Sequence, residues 1–252
     1  MPPVGDAVWT RLWRNAPPLE KDDAILSRER RGPRWQWAKQ ELHAHFGNLI
    51  GLKSIELGSG RGDLSVMLAE QGAVVTLLDV NTTALQSAAE RFTRLGLRGA
   101  LVQSDLREVR GIQGGPFDVA VSIGVIEHFS GSARTDVLRA HYDALRPGGM
   151  AIVSVPHAWC LPYRIWKAYL ELRGWWPYGL EIPYSKSELA RRAREAGFAQ
   201  IDLRSMGLRH SVGEHWIKRF TGKRPEWMDT PSALDPLMGL SLVMIARKGM
   251  AV

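Results

Sequence analysis

The stretch Ile55-Glu56-Leu57-Gly58-Ser59-Gly60-Arg61-Gly62-Asp63 is entered from an apolar run and left into a helical pattern, and the next apolar run closes on an acid, Asp79. Gly58, Gly60 and Gly62 can take positive φ, so a turn built from them lets the backbone come close to a ligand. An acid about 20 residues further on, at a strand end, reaches a ribose diol. This layout builds a nucleotide-type cofactor site. A dinucleotide fingerprint wants a small residue at position 63 for tight packing of helix on strand, and Asp63 weakens that reading.

Outward from this turn, short apolar runs alternate with helical periods, which predicts βαβ units and a mostly parallel sheet. Lys53 to Leu57 reads as the first strand. Leu64, Met67 and Leu68 share a helix face that ends at Gly72. Val74 to Asp79 is the second strand, and Asn81 caps a helix carrying Leu85, Ala88, Ala89 and Phe92 that ends near Gly96. Ala100 to Ser104 makes the third strand and Phe117 to Ser122 the fourth. Val137, Leu138, His141, Tyr142 and Leu145 stripe the next helix, before Pro147-Gly148-Gly149 turns the chain into Met150 to Val155. Ser185 to Glu188 has the spacing of a capping box for a helix that stops at Gly197. Gln200 to Ser205 and Leu240 to Ala246 read as a final strand pair.

With 252 residues and 45% apolar content, the chain can bury one large α/β domain with attachments. Its single cysteine, Cys160, excludes an internal disulfide and a multi-cysteine metal cluster. Asp6, Arg11 and Arg14 interrupt any signal-peptide core, and no apolar run has transmembrane length, so a soluble cytoplasmic protein is expected. The net charge of +7 is uneven: residues 51–157 hold 10 basic and 11 acidic groups, residues 158–252 hold 15 and 9. All ten tryptophans also lie outside residues 51–157. Basic, aromatic flanks around a neutral module suit an acceptor pocket, a membrane-facing patch or plain packing of cap on core.

Five features, in order and spacing, resemble the motifs of class I S-adenosylmethionine-dependent methyltransferases: Glu56 to Gly62, Asp79, Ser104-Asp105-Leu106, Phe117 to Ile123 and Leu145 to Gly149. The resemblance covers roughly residues 50 to 157. It implies a Rossmann-like sheet with its last strand reversed, helices on both faces and cap insertions. It also implies S-adenosylmethionine as cofactor, with Glu56, Gly58, Gly60 and Gly62 at the methionine end, Asp79 on the ribose hydroxyls, and Asp105 and Leu106 at the adenine. Ser122 and Ile123 offer backbone contacts after the fourth strand, and Arg34 is a partner for the cofactor carboxylate, against the alternative of a plain surface arginine.

On this reading residues 1–50 form an N-terminal helical cap, and residues 51–252 the methyltransferase domain. Insertions 157–184 and 207–238 exceed ordinary loop lengths and build an acceptor cap. Methyl transfer to a hydroxyl needs alignment and removal of a proton, and His128, just after the fourth strand, is the candidate base. Gly124-Val-Ile-Glu127-His128 is similar to the Glu-x-x-Glu-His segment of ubiquinone-biosynthesis O-methyltransferases, where both acids and the histidine are associated with a divalent metal. Gly124 removes the first acid, so no metal is expected.

The expected acceptor-binding side chains are His157, Tyr163, Trp166, Tyr169, Trp176 and His210. Glu214 and His215 are secondary sources of a ligand or base. In Leu161 to Leu180, Ile165, Trp166, Tyr169 and Leu172 fall at helical spacing opposite Arg164, Lys167 and Glu171. Three readings of this segment stand: an acceptor lid, an interfacial helix in peripheral contact with a membrane, and a helix packed on the domain. The expected function is methyl transfer, O-methylation favoured, to a small or amphiphilic organic acceptor. The rivals are an RNA methyltransferase, disfavoured because no RNA-binding module is recognisable, and a non-catalytic scaffold of the same fold. The oligomeric state is left open.

Overall fold

The computed structural model describes residues 6–250, with the backbone alone for residues 6 and 19–23. Residues 1–5 and 251–252, the outer ends of the two units bounded above, lie outside the description. Three helices precede the sheet: α1 (Asp6–Arg14), α2 (Leu19–Arg31) and α3 (Pro33–Phe46). Then come β1 (Lys53–Leu57), α4 (Asp63–Ala69), β2 (Val74–Asp79), α5 (Thr82–Arg94), β3 (Gly99–Gln103), β4 (Phe117–Ile123), α6 (Ala133–Ala144) and β5 (Leu145–Pro156). The last third holds α7 (Leu161–Leu172), α8 (Lys186–Glu195) and β6 (Gln200–Met206). Three short helices follow, α9 (Leu208–Val212), α10 (Lys218–Thr221) and α11 (Asp235–Met238), before β7 (Ser241–Arg247).

The seven strands lie in the order β3-β2-β1-β4-β5-β7-β6, and β7 runs antiparallel to both neighbours. Alternation along the central strands feeds two cores. On β5 and β7, Ala151, Val153, Val155, Leu242, Met244 and Ala246 join the core under α6 and α8. Their neighbours Met150, Ile152, Val243 and Ile245 join the core under α3, α4 and α5. Strands buried on both faces read as continuous apolar runs, which is why the central strands stood out in the sequence. A register shift between Phe117 and Val119 on β4 moves the alternation by one, so Phe117 and Ala120 face one core while Val119 and Val121 face the other.

Strand order reverses between β1 and β4, and in open α/β sheets ligands bind outside the carboxyl ends of the strands at such a point. Local signals fix the helix entries there. The Asn81 side chain accepts the Ala84 N–H at 3.1 Å and so caps α5. Ser185 Oγ likewise accepts the Glu188 N–H at 3.2 Å to open α8. The box is half-formed, however, because the Glu188 carboxylate turns instead to Arg134 and Arg192. The third strand also begins one residue earlier than its apolar run suggested, at Gly99.

The two long connections hold short helices rather than bare loop. In α7 the expected amphipathic face is turned over. Ile165 is 58% exposed and Leu172 88%, while Lys167 is 6% exposed. Lys167 Nζ pairs with Glu171 and sits 4.9 Å from the centre of the Trp176 ring. A partnered ammonium above an indole face has taken the buried side of the helix, against its apolar pattern.

Candidate active site

Carboxyl groups stand at three neighbouring strand ends around the glycine turn. Glu56, on β1, is 3% exposed and accepts the Ser65 N–H at 2.9 Å from the first turn of α4. Burial pushes its carboxyl up to about 8. Asp79, at the end of β2, accepts the Gly60 N–H at 2.8 Å and the Asn81 N–H at 2.9 Å, clamping the glycine turn to the second strand. Asp105, after β3, accepts from Arg107 through backbone and side chain, and this pairing holds its carboxyl below the usual range. Leu106 is 7% exposed, with its side chain in the core.

Gly58, Gly60 and Gly62 all have positive φ, as the turn requires. Space is the second demand: a Cβ on Gly62 would lie 2.4 Å from Leu77 Cδ2, and one on Gly60 would lie 2.7 Å from the Trp13 ring. Helix α1 therefore lies across the turn. Its Thr10 hydroxyl accepts from Asn81 Nδ2 at 2.7 Å, and Trp9 meets the His128 ring edge-on at 4.8 Å. Acids and glycines with no lysine among them suit a cofactor that offers hydroxyls, an amine and a positive centre, rather than one that offers phosphates.

Beyond the β4 and β5 ends lies a cavity of about 690 Å³. Its floor is Ile123 and Gly124 at the end of β4, Ser154 to Pro156 on β5, and Leu240 and Ser241 at the start of β7. Tyr163 and Trp166 of α7, Trp175, Trp176 and Tyr178 form an aromatic wall. Polar groups enter from Glu127, Glu181, His215, Arg34 and Arg219. Arg34 is half-buried here, bonded to Glu29 at 2.6 Å and to Ser154 Oγ at 3.2 Å.

Of the acceptor-binding side chains expected from the sequence, Tyr163, Trp166 and Trp176 line this cavity. Tyr169 stands outside the lining and is 42% exposed. His157 is buried at the end of β5, 1% exposed, where a bridge pairs it with Tyr184, and it too is outside the lining. His210 is a surface residue paired with Asp229 at 3.3 Å. The Ser122 hydroxyl points into the core, 2.9 Å from His141 Nε2, which leaves only its backbone to face the strand ends.

His128 is 7% exposed, its Nδ1 2.6 Å from the Leu180 carbonyl, and burial lowers its pKa. It is absent from the cavity lining. His215 is present there, its ring 5.6 Å from Tyr163 and 6.4 Å from Trp166. Its Nδ1 faces the Ser211 carbonyl at 3.0 Å, and burial holds its pKa below the ordinary histidine value. A neutral ring that donates from Nδ1 keeps the lone pair on Nε2.

Glu181 is the residue that sequence reading missed. The Ile182 N–H donates to the Glu127 carbonyl at 2.8 Å, and the Tyr184 N–H to the Pro156 carbonyl at 3.0 Å. Buried Arg134 adds a bond to the Ile182 carbonyl at 2.9 Å while its guanidinium lies 3.5 Å from the Tyr184 ring centre. These ties bring Glu181 to Glu127 and His128, so that one donor atom from each lies within 4.8 Å of the others. No local pattern in the sequence announces that contact.

A family model described as a methyltransferase domain matches residues 55–149. The ubiquinone biosynthesis O-methyltransferase of Caulobacter sp. (strain K31) is 35% identical over 108 residues, 41% of this chain and 40% of that protein. The enzyme of the same name from Psychrobacter arcticus is 27% identical over 188 residues, 71% of each chain. Against the Caulobacter relative, then, the similarity spans well under two thirds of its length. Among solved structures, the magnesium protoporphyrin IX methyltransferase from Synechocystis PCC 6803 with bound SAH is similar in fold. It has a TM-score of 0.61 at 17% identity, covering 96% of this chain and 94% of that one. The 1,6-didemethyltoxoflavin-N1-methyltransferase of Burkholderia thailandensis has a TM-score of 0.59 at 22% identity, covering 97% and 87%. With the glycine turn, the acids at successive strand ends and the reversed β7 in one sheet, the chain carries a methyltransferase domain over residues 55–149 on the fold shared by S-adenosylmethionine-dependent methyltransferases.

Proposed function

We propose that this protein transfers the methyl group of S-adenosylmethionine to an oxygen of a small or amphiphilic organic acceptor. One observation carries the reading. The cavity begins at Ile123 and Gly124, next to Val125, whose side chain packs over Gly58 of the glycine turn, and it runs to the aromatic wall, so donor and acceptor can lie side by side. Its volume suits a small molecule. The cofactor contributes a methyl carbon already activated by positive sulfur, and the chain has to align the partners, exclude water and take a proton.

In this reading the glycine turn and Glu56 hold the methionine end, Asp79 the ribose, and Asp105 with Leu106 the adenine. The backbone at Ser122 and Ile123 completes the site, and Arg34 answers the cofactor carboxylate. The proton goes to His215 Nε2, because His215 faces the cavity and His128 does not. Titration calorimetry with S-adenosylhomocysteine, followed by a screen of phenolic acceptors for its release from S-adenosylmethionine, tests the assignment. Binding in the micromolar range and turnover of at least one phenol are expected. A folded protein that ignores S-adenosylhomocysteine and binds NADH would end the assignment.

The outer face of α7 supports a second property, peripheral contact with a membrane. Leu161, Ile165 and Leu172 are more than half exposed, Trp159 is 64% exposed beside them, and residues 158–252 carry the chain's positive excess. No helix among the described residues is long and apolar enough to cross a membrane, so contact would be interfacial. Co-sedimentation with vesicles rich in anionic lipid should be salt-sensitive and should drop in an Ile165→Ser, Leu172→Ser variant. Equal sedimentation of wild type and variant would leave the stripe without this role.

A further inference from the structure

We propose that the acceptor carries a protonated amine, and that Glu127 and Glu181, set into the aromatic wall of the cavity, bind that ammonium group. The inference rests on the methyltransferase reading only in calling the ligand an acceptor. It names the ligand's chemistry from the wall itself.

Glu127 is 2% exposed, and its Oε2 is buried with no hydrogen-bond partner although the residue lines the cavity. Glu181 faces it with one oxygen accepting a hydrogen bond from the Tyr163 hydroxyl. Neither carboxylate has an ion pair among the described residues. Arg34, which also lines the cavity, gives its charge to Glu29. Two carboxyl groups this close cannot both ionise in a buried wall without a cation between them. Burial and the neighbouring acid push Glu127 up to about 8, and burial pushes Glu181 upward as well.

The surroundings select the kind of cation. Tyr163, Trp166, Trp175, Trp176 and Tyr178 line the cavity, and aromatic rings attract an ammonium once it is desolvated. The wall already holds one: Lys167 Nζ lies over Trp176, close enough to Glu181 to affect its ionisation. A divalent metal is less well served. It would want about six oxygen donors or waters, whereas Glu127, His128 and Glu181 offer it one donor atom each. An ammonium needs only the two carboxylates and the rings.

Tyramine and tyrosol, matched phenols that end in an amine and a hydroxyl, provide the test. Calorimetry would be run on the full chain at neutral pH, with and without saturating S-adenosylhomocysteine. Wild type should bind tyramine about tenfold or more tightly than tyrosol, the scale of a hydrogen bond between charged groups. In a Glu127→Gln, Glu181→Gln variant that preference should fall to within about twofold, with S-adenosylhomocysteine affinity and melting temperature held. No amine preference in wild type, or a preference that survives in the variant, overturns the proposal. So does tight Mn²⁺ binding by wild type that the variant loses, if it comes without amine preference, since that makes the pair a metal site. Failure to bind S-adenosylhomocysteine would strike the methyltransferase reading instead, and the titrations without cofactor would still decide this one.

Discussion

Replacing His215 by alanine should slow turnover about 10²- to 10⁴-fold, the worth of a positioned general base, with S-adenosylhomocysteine affinity changed little. The size follows from the ring's setting. Nδ1 is committed to the Ser211 carbonyl, so the basic lone pair is on Nε2 of a ring that lines the cavity. Burial lowers the pKa, with His210 adding to the fall, while the Ser211 carbonyl and Glu214 oppose it. The ring is therefore neutral and able to accept a proton at pH 7. The sign is definite: activity should fall on the acid side with a limb below the ordinary histidine value of about 6.5, and that limb should vanish in the variant. His128→Ala, measured in parallel on the best phenol from the screen, should keep most of the rate, because its ring is packed against Trp9 and the Leu180 carbonyl. A large loss in His128→Ala with His215→Ala near wild type would return the base to the position after β4.

How far such roles could be read in advance depended on the range of the interactions that set them. Signals within a few residues were legible. Lys53–Leu57 and Val74–Asp79 have the bounds that their apolar runs predict, and Asn81 caps α5 through an oxygen three residues from its donor. The glycine turn was legible because positive φ at three alternate positions leaves few residue types. The acceptor wall was not. Glu181 meets Glu127 through backbone bonds between segments more than 50 residues apart, and His215 arrives on the second insertion. Lys167 misled the reading of α7, since helical periodicity assumes that charge faces water, and here Glu171 and the Trp176 face replace that water. His157 looked available because it follows β5, yet backbone pairing with the Tyr184 segment buries it.

Asp79→Ala should weaken S-adenosylhomocysteine binding by roughly 10- to 100-fold, since a lost hydrogen bond to a charged group is worth about 1.5 to 3 kcal/mol. Two losses act in the same direction. In the proposed reading the ribose hydroxyls lose a carboxylate acceptor, and the buried N–H groups of Gly60 and Asn81 lose the oxygens that hold the turn against β2. Only the second weakens the empty protein, so the two separate in a thermal melt. The melting temperature of the variant alone reports the loosened turn, and the further rise on saturation with S-adenosylhomocysteine reports the ligand contact through mass action. A variant that melts lower but gains as much from ligand as wild type would mean that Asp79 is a brace for the glycine turn and not a ribose acceptor. A variant with unchanged melting and unchanged affinity would remove Asp79 from the site altogether, and with it the most direct link between this strand end and an adenosyl cofactor.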